Sequence, residues 1–131
     1  MSERDVWSFY ESLGSGDRAH LTKVEQEVAA ICDLRQEVNS GGFDGYFRFW
    51  GGDTAEVAAS AIGRILGDEW ADVLLDAVAL LGPVYPRTAN EREAVLSDAV
   101  SEALESFDAR YFDLEASVDA DGLLTAQLRR D

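Results

Sequence analysis

The chain of 131 residues has one lysine, one cysteine, one histidine and two prolines, and no apolar run approaches the ~20 residues that a membrane-spanning helix needs. Each scarcity excludes something. The lone Cys32 cannot close an internal disulfide, and it shares an apolar helical phase with Val28 and Ile31, which predicts a buried, inert thiol. The lone His20 stands in a polar stretch and reads as a surface or capping residue. With one histidine and one cysteine there is no zinc ligand set and no Ser-His-Asp or Cys-His relay of the usual kind. The only lysine is Lys23, and the glycines at 41, 42, 45, 51 and 52 do not fit a phosphate-binding G-x-x-x-x-G-K-[ST] loop. The N-terminal MSERDVW lacks the apolar centre of a signal peptide, so a cytoplasmic location is expected.

Base is also scarce, and acid is abundant. Against 26 Asp and Glu there are 11 Lys and Arg, a net charge of -15. Such a field repels phosphates, so direct nucleic-acid binding and an anionic membrane surface are both disfavoured, and a basic protein partner is favoured. Hydrophobic residues make up 47% of the chain, enough for a core rather than disorder. The length suits one domain that buries roughly two thirds of its unfolded surface.

The apolar residues recur at helical spacing throughout. Val6, Phe9, Tyr10 and Leu13 form a first helix ended by Gly14 and Gly16. Thr22-Lys23-Val24-Glu25 is a capping box, followed by a face of Val24, Val28, Ile31 and Val38, with Gly41 and Gly42 supplying the positive φ of a helix stop. Between Ser40 and Asp53 five glycines alternate with five aromatic rings. Phe43, Tyr46, Phe47 and Trp50 follow i, i+3, i+4, i+7, which predicts a short helix whose rings are buried. Gly51-Gly52 end it, and Asp53-Thr54-Ala55-Glu56 reads as the cap of a helix with a small-residue face, Ala58, Ala61, Ile62 and Ile65.

Asp68–Leu81 and Glu91–Phe107 are the most amphipathic segments, separated by a loop holding Pro83 and Pro86. Asp108–Glu115 continues as helix. Val118–Gly122 fits a hairpin turn or an interhelical loop, with a last helix over Leu123–Arg130. The expected fold is therefore all-α, one compact domain of about six to seven helices.

No constellation demands an enzyme. Ser117-x-Asp119-x-Asp121-Gly122 resembles half of a calcium loop, but Leu128 stands where the bidentate Glu is needed. Close carboxylate pairs arise from composition alone. No cofactor and no metal is expected. A cleft lined by Glu37, Tyr46 and Trp50 is the one place where a small-molecule or enzymatic site is conceivable.

The placement of the acids is more informative. Between Ile65 and Leu128 there are 14 acids against Arg87, Arg92 and Arg110. At ~100° per residue, Glu91, Asp98, Glu102 and Glu105 fall in one sector opposite Leu96, Val100, Leu104 and Phe107. The last three are spaced by ~6 and ~4.5 Å along a helix axis, commensurate with nucleic-acid charge spacing. Asp68, Asp72 and Asp76 form a second row at i, i+4, i+8. These seven carboxylates are the expected partner contacts, although an ordinary solvated face has the same pattern.

Glu37, Asn39, Gly41-Gly42-Phe43, Tyr46-Phe47, Gly52-Asp53 and Ile62-Gly63 together resemble the E-x-x-N-G-G-F…Y-F…G-D…I-G pattern of the DNA-mimic protein 19 family, an all-helical bacterial domain. The likeness runs from about Val24 to Leu81, with echoes at Arg92 and Phe107–Tyr111. Ser40 and Gly45 stand where Asn and Gln are common in that family. The resemblance implies a helical fold whose acidic surface imitates DNA phosphates and occupies the DNA-binding face of a transcriptional regulator or nucleoid protein. The motif residues themselves, mostly glycines and aromatics, are expected to serve architecture. An immunity or antitoxin-type inhibitor covering a basic nuclease needs the same negative surface.

Overall fold

The structure is a computed structural model and describes residues 5–14 and 16–130; the first four residues of the MSERDVW stretch lie outside the described residues. The described residues form seven α-helices in succession: α1 Val6–Leu13, α2 Lys23–Arg48, α3 Ala55–Ile65, α4 Asp68–Ala79, α5 Ala89–Val95, α6 Asp98–Ser117 and α7 Ala120–Arg130. A short 3-10 helix, Trp50–Thr54, joins α2 to α3, and the described residues contain no strand. The all-α expectation holds.

Local chemistry starts most of these helices. The capping box of α2 is formed in both directions, with the Glu25 amide donating to Thr22 Oγ1 at 3.1 Å and the Thr22 amide donating to the Glu25 carboxylate at 3.0 Å. Asp5, Thr88 and Ser97 cap α1, α5 and α6 in one direction, their side chains accepting from the amides of Ser8, Glu91 and Val100.

Helix α2 is the axis of the molecule, packed by α1, α3, α5, α6 and α7, while α4 lies chiefly on α3 and α6. Every residue from Glu27 to Arg35 is buried. A helix buried all round must neutralise its charges internally. Glu27 meets Arg64 at 3.0 Å, Asp33 receives the Arg18 guanidinium at 2.7 Å, and Arg35 reaches both Glu115 and Asp121. Cys32 is fully buried, and burial pushes its thiol up to about 12.

Gly41 and Gly42 kink α2 instead of stopping it. Gly41 has φ -141° and Gly42 has φ +69°, inside a helix that otherwise continues to Arg48. The break frees the Phe43 amide, which donates to Asp108 Oδ1 on α6 at 2.8 Å. A Cβ at Gly42 would lie 2.5 Å from Asp108 Oδ2, so the kink needs glycine for both conformation and space. Beyond it Phe43, Tyr46 and Phe47 turn fully inward. Phe43 stacks with Phe47 and meets Tyr111 edge to face, and Tyr111 in turn meets Trp70 of α4. The aromatic segment thus clasps α2, α4 and α6 together.

Trp50 departs from the expected burial: it is 54% exposed. The helix ends at Arg48 with Phe49 extended, so the 3.6 period no longer governs position 50. Asp53 does not cap α3, whose start has no side-chain cap; its carboxylate is drawn to Arg92 at 2.6 Å. Glu91–Phe107 is two helices, because the Ser97 hydroxyl accepts from the Val100 amide and starts α6 there. Val118–Gly122 is a brief connection, and α7 begins at Ala120, ahead of the expected Leu123.

Candidate partner-binding surface

Helices α4 and α6 run side by side, tied by Asp76 to Arg110 at 3.0 Å, and Glu69, Asp72, Arg110 and Asp113 line the cleft between them. On α6 the apolar residues Leu104, Tyr111 and Leu114 point inward. One flank faces α2, where Ser101, Asp108 and Glu115 are spent on Asp44, the Phe43 amide and Arg35. The other flank carries Arg110 towards α4. What remains outward is Asp98, Glu102, Glu105 and Phe112 with the intervening alanines, all exposed, and Asp113, exposed at the rim of the cleft towards α4. From Asp98 to Asp113 this face runs ~22 Å at ~1.5 Å per residue.

The expected rows survive in part. Asp68, Asp72 and Asp76 are exposed along α4 as predicted, but Asp76 is neutralised by Arg110. Glu91 leaves the row: it belongs to α5, where its amide and carboxylate both engage Thr88. Asp98 occupies the first turn of α6, favourable for its helix dipole, and its charge reaches Arg48, whose pKa is raised chiefly by the hydrogen bond to Asp44, with Glu93 and Asp98 adding to it. Glu102, Glu105 and Asp113 have no basic partner within ion-pair distance among the described residues. Asp113 was legible in the sequence, since it lies three turns beyond Glu102 in the same phase.

The resembling motif residues sit elsewhere, in the clasp. Asn39 donates to Glu115 at 3.2 Å. Gly63 lets α4 approach α3, where a Cβ would meet that of Ala71 at 3.1 Å. Gly52 leaves room for Arg92: a Cβ there would lie 2.6 Å from the Tyr46 carbonyl oxygen and 3.0 Å from Arg92 Nε. Arg92 is 0% exposed and donates to the carbonyls of Phe47, Phe49 and Pro86 and to Asp53. Its role is hidden in the sequence because all but one of these partners lie about 40 residues away along the chain.

The three residues of the conceivable cleft do not line one cavity: Tyr46 is wholly buried, while Glu37 lies half-buried against Gly51, beside the exposed Trp50. The Ser117–Gly122 loop is used otherwise: the Asp119 carboxylate accepts from the Gly122 amide, and Asp121 accepts from Arg35 and the Trp7 indole. Among the described residues no three His, Cys, Asp or Glu side chains are placed to hold a metal ion. No helix among them is long and apolar enough to cross a membrane.

A helical, strongly acidic domain with an internally bolted glycine-aromatic segment is the class that these observations define. A family model described as DMP19-like protein matches residues 19–131, and the chain belongs to that family. No curated protein and no solved structure matches the chain.

Proposed function

We propose that this is a non-enzymatic acidic binding protein, a DNA mimic that occupies the DNA-binding surface of a basic transcriptional regulator or nucleoid protein. The observation that carries the reading is the outward face of α6, where Glu102, Glu105 and Asp113 stand in a row without a neutralising base. Arg18, Arg35, Arg48, Arg64, Arg87, Arg92 and Arg110 are all paired with carboxylates elsewhere, so an unmatched row is an open demand for external positive charge. Membership of the DMP19-like family agrees with this reading.

The test begins with a pull-down from source lysate that names a partner by mass spectrometry. A competition titration with duplex DNA follows. Mutually exclusive binding is expected, with affinity falling as salt rises and no binding of DNA by the protein itself. Combined E102Q, E105Q and D113N substitution should slow association about tenfold at low salt. A ternary complex with DNA, or an unchanged association rate in the variant, would remove the proposal.

A further inference from the structure

One aromatic pair lies outside both the core and the acidic face. Phe49 and Trp50 are 58% and 54% exposed, yet their backbone is fixed, because Arg92 holds the Phe49 carbonyl at 2.9 Å and Trp50 opens the 3-10 helix. One side of the Trp50 ring already carries a cation: the Arg18 guanidinium lies 5.7 Å from its centroid. That arginine is committed to Asp33, which it meets through both terminal nitrogens at 2.7 and 3.0 Å. One turn along α2 from Asp33, Glu37 packs against Gly51, next to Trp50. Glu37 has no ion-pair partner among the described residues. Burial and the neighbouring Asp33 charge raise its pKa, as befits a carboxylate lacking a counter-charge.

We infer that Trp50 and Glu37 form a docking point for a cationic side chain, an arginine or lysine, of a basic protein partner. The ring supplies a preorganised cation–π surface, Phe49 extends it with apolar area for the methylene stem, and Glu37 supplies the missing charge. Tryptophan is also among the residues enriched at interface hot spots. The inference rests on the reading above for the basic character of the partner, but it uses different residues on a different part of the surface.

A nona-arginine peptide serves as the probe. Trp7 donates to Asp121 and Trp70 is buried, so the exposed indole is that of Trp50, and its NMR signal is identified by its loss in W50L. Titration should shift that signal, W50L should weaken peptide binding about two- to fivefold, and E37Q should weaken it about two- to threefold with a smaller salt dependence. A stationary Trp50 signal under saturating peptide, or unchanged affinity in both variants, would overturn the inference. The E102Q/E105Q/D113N protein separates the two proposals. If it binds the peptide and the named partner as the native chain does while W50L does not, the mimic reading fails and the docking point stands; the reverse pattern sinks the docking point alone.

Discussion

Residues 41–53 and the outward face of α6 treat charge in opposite ways. In the first, the buried or half-buried charges that contact the segment have partners built for them, with the single exception of Glu37 against Gly51. Arg92 has three carbonyls and Asp53, Asp108 has the Phe43 amide, and Asp44 has Arg48 and Ser101. On the second, Glu102, Glu105 and Asp113 stand in solvent with no ion-pair partner among the described residues. Where water is excluded, an unmatched charge costs several kcal/mol, so the fold can only keep matched ones. In water the cost is small, and unmatched acids persist there to act on something outside. The difference separates the charges that hold this molecule together from those available for binding.

Arg92→Ala should break the first region most severely. It takes the Arg92 donor from the carbonyls of Phe47 and Pro86, leaves that of Phe49 with the 3.3 Å Gly52 amide alone, and removes the partner of Asp53, and a loss of roughly 3–5 kcal/mol of unfolding free energy is expected from urea denaturation. Arg92→Lys keeps the charge but not the planar fork, and should recover only part of this. A loss below about 1 kcal/mol for the alanine variant would mean that water takes over those carbonyls and that the clasp is not bolted by Arg92.

A second, intermediate effect concerns Arg35 and Glu115 at the crossing of α2, α6 and α7. Burial acts to raise the pKa of Glu115, but the Arg35 guanidinium and the Tyr111 and Asn39 hydrogen bonds outweigh it and leave the pKa lowered. For a carboxylate with a depressed folded-state pKa, the stabilisation is complete above the unfolded value of 4.5 and is lost as pH falls through the folded value. Asp108 acts in the opposite sense, since desolvation raises its pKa despite the Phe43 amide. Its ionisation therefore removes stability as pH rises from 3.8 through the raised value. E115Q should be less stable than the native chain at neutral pH, by roughly 1–3 kcal/mol, and the gap should narrow below pH 4.5. Urea midpoints at pH 7 and pH 3.5 check this; a gap independent of pH would show that Glu115 acts through packing alone.

How much of this was readable beforehand follows from the range of each interaction. The Thr22 box and the inward turn of Phe43 and Phe47 depend on residues within a turn or two, so spacing sufficed. Trp50 was misplaced because helical phase was extended past Phe49, where the backbone has already become extended. The Glu91 row failed for a related reason: a serine cap at 97 resets the phase of everything after it. Gly42 showed its positive φ in sequence, but its continuation as a kink depends on Asp108, 66 positions away. The acids of α6 were legible as a face, whereas their freedom from arginine depended on where Arg48 and Arg110 would fold.

The smallest expected change in stability is therefore the sharpest test of the comparison. Glu102 and Glu105 are neighbours at i, i+3 on one helix with no base beside them, so each repels the other by a few tenths of a kcal/mol. E102Q combined with E105Q should leave the urea midpoint unchanged or slightly raised, within about 0.5 kcal/mol, and salt should erase the difference by screening the native repulsion. The same substitutions applied to a matched carboxylate such as Asp33, which receives Tyr10, Arg18 and Thr54, would leave several buried donors short of their charge. If E102Q/E105Q instead costs more than about 1 kcal/mol, those acids have partners within the molecule, the two regions do not differ in kind, and the outward face of α6 loses its claim to be the binding surface.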